Sequence, residues 1–203
     1  HFLKMMSYRH EKIVVLADLS RAASRKRLDF VKQHADFHLI DIADFESLAV
    51  IFKRYQFEKV LHLAAQTSMV ASLADPKLDF HANALGTFNV LECCRRYAPE
   101  SRVVAASSNK VYGSLSSLEL VKTTNGYQPL APEIVAKGIN EDFVSEAYTP
   151  YSVSKIVTDM LVSDYSKTFG LDAVSLRQSC IYGEDQMGEE AQGWVSWFAT
   201  AMK

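Results

Sequence analysis

Cysteine is scarce in this chain of 203 residues. Three are present, Cys93, Cys94 and Cys180, and adjacent cysteines such as Cys93 and Cys94 rarely bond to each other. No metal-ligand spacing links them, so neither a disulfide scaffold nor a metal module is expected. Free thiols in a reducing compartment are the expectation, which makes cytoplasm the expected location. An excess of charge of one sign is lacking too. Lys and Arg total 22 against 24 Asp and Glu, a formal net charge of -2. That balance gives no electrostatic reason to expect nucleic acid or an anionic membrane as partner. No apolar run approaches the roughly 18–20 residues of a membrane span. The opening from His1 to Met6 lacks the charged, apolar and cleavage segments of a signal peptide. Internal repeats and low-complexity tracts are absent.

What the chain does have is alternation. Short apolar runs are separated by longer amphipathic stretches, in about the length of one domain. Lys12–Ala17 reads as a strand ending at Asp18, Arg25–His34 as a helix, and Phe37–Ile40 as a strand ending at Asp41. Asp44 suits an N-cap, because Leu48, Ile51, Phe52 and Tyr55 then fall at helical spacing. Glu58–Leu63 is the next strand. Pro76 suits a first helical turn, and that helix should run to about Tyr97. Arg102–Ala106 is a strand, Tyr151–Phe169 a long helix closed by Gly170, and Asp172–Leu176 a strand. Strands alternating with helices imply parallel βαβ units, an α/β chain with a doubly wound, Rossmann-like sheet. From Gly113 to Thr149 no period holds. Pro129, Pro132, Gly126 and Gly138 punctuate this stretch, which reads as a surface excursion with one short helix.

The strongest chemical signal is Tyr151-Ser-Val-Ser-Lys155. The i, i+4 spacing puts both side chains on one helical face. A phenol ionises near pH 10, too high for a base at neutral pH. A lysine ammonium one turn away should favour the phenolate. The pair can then move a proton to or from a sugar hydroxyl while a hydride moves at the same carbon. Upstream, a strand runs into Ser107-Ser108-Asn109-Lys110-Val111-Tyr112-Gly113. The carboxyl end of a parallel strand is where open α/β sheets bind ligands, so Ser108 is placed to steer the same proton.

Acidic strand ends give the cofactor signal. Asp18 can accept hydrogen bonds from an adenosine ribose, and a carboxylate there repels a 2′-phosphate, which favours NAD over NADP. Arg21 weakens that preference. Asp41-Ile42 can flank an adenine. Leu63-Ala64-Ala65-Gln66 is a turn with small side chains that lets backbone approach a cofactor. Capping, a solvated loop or a plain tight turn remains the alternative for each.

Taken in order, Asp18, His62-Leu-Ala-Ala65, Asn83-Ala-Leu-Gly86-Thr87, Ser-Ser-Asn-Lys-Val-Tyr-Gly and Tyr-x-x-x-Lys resemble the extended short-chain dehydrogenases. That family includes NAD-dependent nucleotide-sugar epimerases and dehydratases, and the resemblance spans essentially the whole chain. A narrower likeness is to CDP-tyvelose epimerases (CDP-paratose 2-epimerases). Residues 107–113 are similar to their Ser-Thr-Asn-Lys-Val-Tyr-Gly. Residues 176–183 and then Gln192-Gly193-Trp194-Val195-Ser196-Trp197-Phe198 resemble that group's Arg-His-Ser-Ser-Met-Tyr-Gly and Asp-Gln-Gly-Trp-Val-Gly-Trp-Phe.

The resemblance implies a catalytic set of Ser108, Tyr151 and Lys155. It also implies an NAD site comprising Asp18, Asp41, Ile42, Leu63, Ala64, Ala65, Asn83, Tyr151, Lys155 and Gln178. Gln66, Ser108, Asn109, Ser179, Cys180 and Trp194 would meet a nucleotide-sugar, with a CDP-sugar favoured. A homo-oligomer is expected on the same ground. Related dehydratases follow the hydroxyl residue with Asp-Glu. Asn109 and Lys110 stand there, and neither can protonate a departing hydroxyl, so epimerisation is favoured over dehydration.

The family's first strand and its Gly-x-x-Gly-x-x-Gly turn do not appear, and His1–Tyr8 resembles only the end of the helix that follows them. In the order 3-2-1-4-5-6 the missing strand is central, which leaves the strand ending at Asp18 without one neighbour. The expectation is a partial NAD-binding domain over residues 1–203, with 184–203 leading into a substrate-binding region whose larger part lies beyond Lys203. Three readings stay open: a CDP-sugar 2-epimerase, a UDP- or dTDP-sugar 4-epimerase, reductase or dehydratase, and a non-catalytic remnant.

Overall fold

The computed structural model describes residues 2–6, 11–190 and 192–202. His1, Ser7 and Tyr8, part of the stretch compared with a helix end, lie outside them. In chain order the elements begin with α1 (Phe2–Met6), β1 (Val14–Ala17), α2 (Ala22–Lys26), α3 (Leu28–His34) and β2 (Asp36–Leu39). Then come α4 (Phe45–Tyr55), β3 (Lys59–His62), α5 (Met69–Ala74), α6 (Pro76–Asp79), a π-helical turn (Phe80–Leu85) and α7 (Gly86–Tyr97). The chain continues through β4 (Arg102–Ala106), a 3-10 turn (Asn109–Tyr112), β5 (Leu120–Thr123), β6 (Gly126–Pro129) and α8 (Pro132–Lys137). It ends with α9 (Pro150–Phe169), β7 (Ala173–Leu176) and α10 (Trp194–Ala201).

The βαβ reading holds. β1 pairs with β2, and β3, β4 and β7 pair in the order β3-β4-β7, every pair parallel. The two parallel sheets share no strand pairing among the described residues, and β1 has β2 as its one hydrogen-bonded neighbour there. One core serves both. Leu48 and Phe52 of α4, Val90 and Leu91 of α7, Val103 and Ala105 of β4 and Val162 of α9 form a single buried cluster, with Leu16 of β1 packed on it.

Local chemistry sets the boundaries. Asp44 caps α4 by accepting from Ser47 N at 3.2 Å, and Leu48, Ile51 and Phe52 are buried as their spacing requires. α9 starts at Thr149, whose hydroxyl accepts from Ser152 N, with Pro150 in the first turn. It stops at Gly170, held at φ 72°, where Gly170 N donates to Ser166 O and Leu171 N to Tyr165 O.

Three expectations need correction. The helix over Arg25–His34 is two short helices that meet at Arg27, whose φ -101° and ψ -1° lie at the edge of the helical region. The helix from Pro76 to Tyr97 is continuous in direction but widens to a π turn at Phe80–Leu85. The excursion is not strandless: β5 and β6 form an antiparallel hairpin around Thr124-Asn125, followed by α8. The hairpin is mostly exposed, so its residues carry no inward and outward alternation for a sequence reading to find.

A buried acid joins α7 to α9. Glu92 accepts two bonds from Arg95 (2.7 Å each), one from Arg96, and one from the Tyr165 hydroxyl at 3.1 Å. The Arg95 bond is the largest cause holding the Glu92 carboxyl down at about 2. Its folded value lies below the unfolded one, so this stabilisation is present above about pH 4.5 and is lost as pH falls toward 2. Both guanidinium groups are more than a third exposed, which screens the pairing. Glu92→Gln is therefore expected to cost about 1–2 kcal/mol at pH 7. Denaturation melts at pH 7 and pH 3 should show the deficit shrinking with acid; an unchanged deficit would assign it to packing.

Candidate active site

The carboxyl end of β4 is the floor of the site. Ser107 N donates to Leu176 O and Asn109 N to Gln178 O, both at 2.9 Å, so pairing with the β7 strand continues past the strand ends. Ser108 is fixed between these two bonds and is 8% exposed. Its hydroxyl also accepts from Lys110 N at 3.2 Å, which starts the 3-10 turn. Gly113 closes that turn at φ 69°, and a Cβ there would lie 2.5 Å from Glu146 O. Glycine is thus required where the excursion returns, through Glu146 N donating to Val111 O.

α9 brings the candidate pair, Tyr151 and Lys155, to this floor. Tyr151 and Lys155 are 8% and 4% exposed. The Ser108 hydroxyl hydrogen-bonds Tyr151, an interaction that favours the phenolate. The sequence expectation for the lysine needs correction. Burial is the largest influence on both groups: it raises Tyr151 above the usual phenol value and draws Lys155 down to about 8. The Lys155 ammonium donates to Ala106 O at 2.9 Å, and the charge acting on Tyr151 is the carboxylate of Asp79.

Behind the pair lies a polar network that sequence reasoning found only in part. Asn83, 1% exposed, sits in the π turn. Its side chain donates to Ser154 Oγ (2.9 Å) and Gln66 O (3.1 Å) and accepts from Gln66 N (2.9 Å). Its carbonyl takes hydroxyl bonds from Thr87 (2.5 Å) and Thr158 (3.1 Å). The π turn presents that carbonyl to side chains, a use of π geometry common at functional sites. His62 Nε2 lies 3.0 Å from Thr87 Oγ1, and burial, with the Lys155 charge second, lowers the imidazole to about 4. The Thr87 proton is used on Asn83 O, so His62 is neutral with Nε2 as the donor. Arg177 completes the frame. It donates to Asp159 at 2.6 Å and to Glu141 O at 3.0 Å, and lies over the Tyr112 ring at 4.8 Å. Nothing in the sequence marks Asp79 or Thr158, because a polar residue on a helix ordinarily faces water; Arg177 lies in the 176–183 segment, but its pairing with Asp159 has no local signal.

The other candidate residues are distributed along the strand ends. Asp18 follows β1 and accepts from Ser20 N (3.0 Å) and Ser20 Oγ (2.9 Å). Asp41 follows β2, accepts from Ala43 N, and has His81 at 3.9 Å. Ile42 is buried, and its carbonyl accepts from Asn89 Nδ2 at 3.0 Å. A Cβ on Gly86 would lie 2.5 Å from Ile42 Cδ1, so the glycine lets this loop approach the α7 start. Leu63 and Ala64 are exposed and Ala65 half-buried, an open turn that fits the close approach of a dinucleotide. Gln66 spends its side chain on Ser68 and on Asp79 Oδ1 (2.9 Å). Asn109 and Gln178 are half-buried beside Ser108, while Ser179 and Cys180 are exposed. Trp194, 60% exposed, opens α10. The segment before it is tied to the N-terminal elements, Asp185 pairing with Lys4 and Arg27 and Glu189 with Arg21.

The family model described as GDP-mannose 4,6 dehydratase matches residues 1–195. The chain belongs to this family of NAD-dependent epimerases and dehydratases. Among its relatives is CDP-paratose 2-epimerase of Salmonella typhi, 31% identical over 188 residues, 92% of this chain and 55% of that protein. UDP-glucose 4-epimerase of Thermotoga maritima, solved with UDP-glucose, shares the fold with a TM-score of 0.81. It is 24% identical, and the match covers 100% of this chain and 58% of that one. UDP-glucose 4-epimerase of Thermus thermophilus, solved in complex with NAD, has a TM-score of 0.76 at 29% identity over 98% of this chain and 57% of that one. The chain thus spans a little over half the length of each of these three. No helix among its described residues is long and apolar enough to cross a membrane.

Proposed function

We propose that the full-length protein is an NAD-dependent nucleotide-sugar epimerase that inverts C2 of a CDP-linked dideoxyhexose, converting CDP-paratose to CDP-tyvelose. The observation that carries this reading is the meeting of Ser108, Tyr151 and Lys155 at one strand end, followed by Asn109 and Lys110. A dehydratase needs an acid and a base beyond the tyrosine, and these two positions supply no carboxylic acid. The likeness to CDP-paratose 2-epimerase favours the CDP-sugar over other nucleotides.

Bound NAD supplies a hydride acceptor that later returns the hydride to the same carbon. Asp18, Asp41, Ile42 and the Leu63–Ala65 turn would hold its adenosine end, and Asn83, Tyr151, Lys155 and Gln178 would support its nicotinamide end. Tyr151 takes the proton of the C2 hydroxyl at its phenol oxygen, and Ser108 hydrogen-bonds that oxygen. Lys155, charged below about pH 8, donates to Ala106 O and holds its positive charge at the same strand end. The keto sugar turns over in the site, so that the opposite face of C2 meets the returning hydride, and Tyr151 gives its proton back to the C2 oxygen. Gln66, Asn109, Ser179, Cys180 and Trp194 would contact the sugar nucleotide, with residues 184–203 leading into the region that recognises it. The cytoplasm is the proposed location and a homo-oligomer the proposed state.

The test is a substrate panel on the full-length protein with NAD. CDP-paratose should give CDP-tyvelose, followed by proton NMR at C2, with no net change in absorbance at 340 nm. Conversion of a UDP- or dTDP-sugar with CDP-paratose untouched would replace the substrate assignment, and net consumption of reduced cofactor would indicate a reductase.

A further inference from the structure

Among the described residues, Asp79 is the one buried carboxylate near the pair with no charged partner. It is 1% exposed, at the end of α6, which packs against α9. Oδ1 accepts from Gln66 Nε2 at 2.9 Å, and Oδ2 is buried with no hydrogen-bond partner among those residues. A cavity of about 710 Å³ opens beside it, walled by Phe80, Leu85, Pro150, Val153 and Ser154. A carboxylate held this way, by one neutral amide, is costly unless its charge is used. The other buried carboxylate near the pair, Asp159, is already paired with Arg177 at 2.6 Å.

We propose that Asp79 is a positioning residue for the catalytic pair, setting the proton affinity of Tyr151 from the facing helix. This inference rests on the reading of Tyr151 as the acid–base group. The other titratable groups around Tyr151 do not duplicate it. Lys155 and Asp159 lie on the same helix and act on each other, and Asp79 adds a smaller pull on the same ammonium. His62 on β3 is neutral, Arg177 is bound to Asp159, and Lys77 and His81 line the outer cavity with Asp79. Among the described residues Asp79 is the unpaired buried carboxylate on the element packed against the Tyr151 turn, sharing its cavity with Pro150 and Ser154, and its charge acts against ionisation of the phenol. Such a charge keeps the proton on Tyr151 when no hydroxyl is being oxidised and makes the phenolate, once formed, the stronger base.

The measurement is the tyrosinate absorbance near 295 nm against pH, wild type minus Tyr151→Phe, on the full-length protein with NAD. Asp79→Asn preserves the acceptor for Gln66 and removes the charge. The Tyr151 signal should then develop at lower pH. At a fixed pH on the rising limb the tyrosinate fraction should grow about threefold to tenfold, as one unit charge acting at an effective dielectric near 20 would produce. Asp79→Ser, also neutral, should shift it the same way, and Asp79→Glu should not. An unmoved titration in Asp79→Asn, or loss of the melting transition in both neutral variants, overturns the inference. Absorbance shifts as expected with no turnover of any nucleotide-sugar would leave the inference standing and remove the epimerase reading instead.

Discussion

Tyr151→Phe in the full-length protein is expected to lower epimerase turnover by roughly two to four orders of magnitude while leaving NAD bound. The range is that of a positioned general acid–base group. The phenol hydroxyl contacts Ser108, whereas the Tyr151 backbone N–H, which donates to Ser72 Oγ at 2.9 Å, is untouched by the exchange. Stability should therefore change by less than about 1 kcal/mol, the worth of one neutral hydrogen bond. The loss should fall on kcat rather than KM, because proton transfer belongs to the transition state. Turnover is followed with CDP-paratose, and NAD retention by the cofactor released on denaturation. A variant that keeps more than about a tenth of wild-type turnover would remove Tyr151 from the proton path.

Much of the site was legible because its chemistry is tied to secondary-structure punctuation. Tyr151 and Lys155 are one helical turn apart in the chain and remain so in space. Ser108, Asp18 and Asp41 each follow an apolar run, and a parallel strand ends at each. Cap residues are equally local: Asp44 and Gly170 act where the sequence puts them. Of the network behind the pair, only Asn83 and Gln66 were legible, as separate site residues, because the rest is made by contacts across distant segments. Asn83 meets Ser154, and Asp79 meets Gln66, only when the π turn, α9 and the loop after β3 pack together. The sign of the Tyr151 shift failed for the same reason. Spacing gives the distance to Lys155 but says nothing of how deeply both groups are buried, and burial proved the larger influence. The β5–β6 hairpin escaped notice because an exposed two-stranded ribbon needs no hydrophobic alternation.

The same burial makes the candidate site a source of instability. Lys155→Met is expected to abolish turnover and to raise stability at pH 7 by about 1–2 kcal/mol. The ammonium is 4% exposed, and burial draws it from 10.5 to about 8 against the opposing pull of Asp159 and then Asp79. Each pH unit between folded and unfolded values is worth about 1.4 kcal/mol, so holding the charge costs about 3 kcal/mol below pH 8. Against that stands the bond to Ala106 O, worth about 1 kcal/mol, which methionine cannot make. The sign follows from linkage. Between about pH 8 and 10.5 the unfolded chain holds more protons on this lysine, so stability rises with pH across that window. The penalty is complete below about pH 8 and fades as pH rises toward 10.5. Urea melts of wild type and variant at pH 7 and pH 10 should therefore show the Lys155→Met advantage shrinking with alkali. A variant less stable than wild type at pH 7 would mean that the ammonium is stabilised in place, and that its positive charge is held ready at the site without cost to the fold.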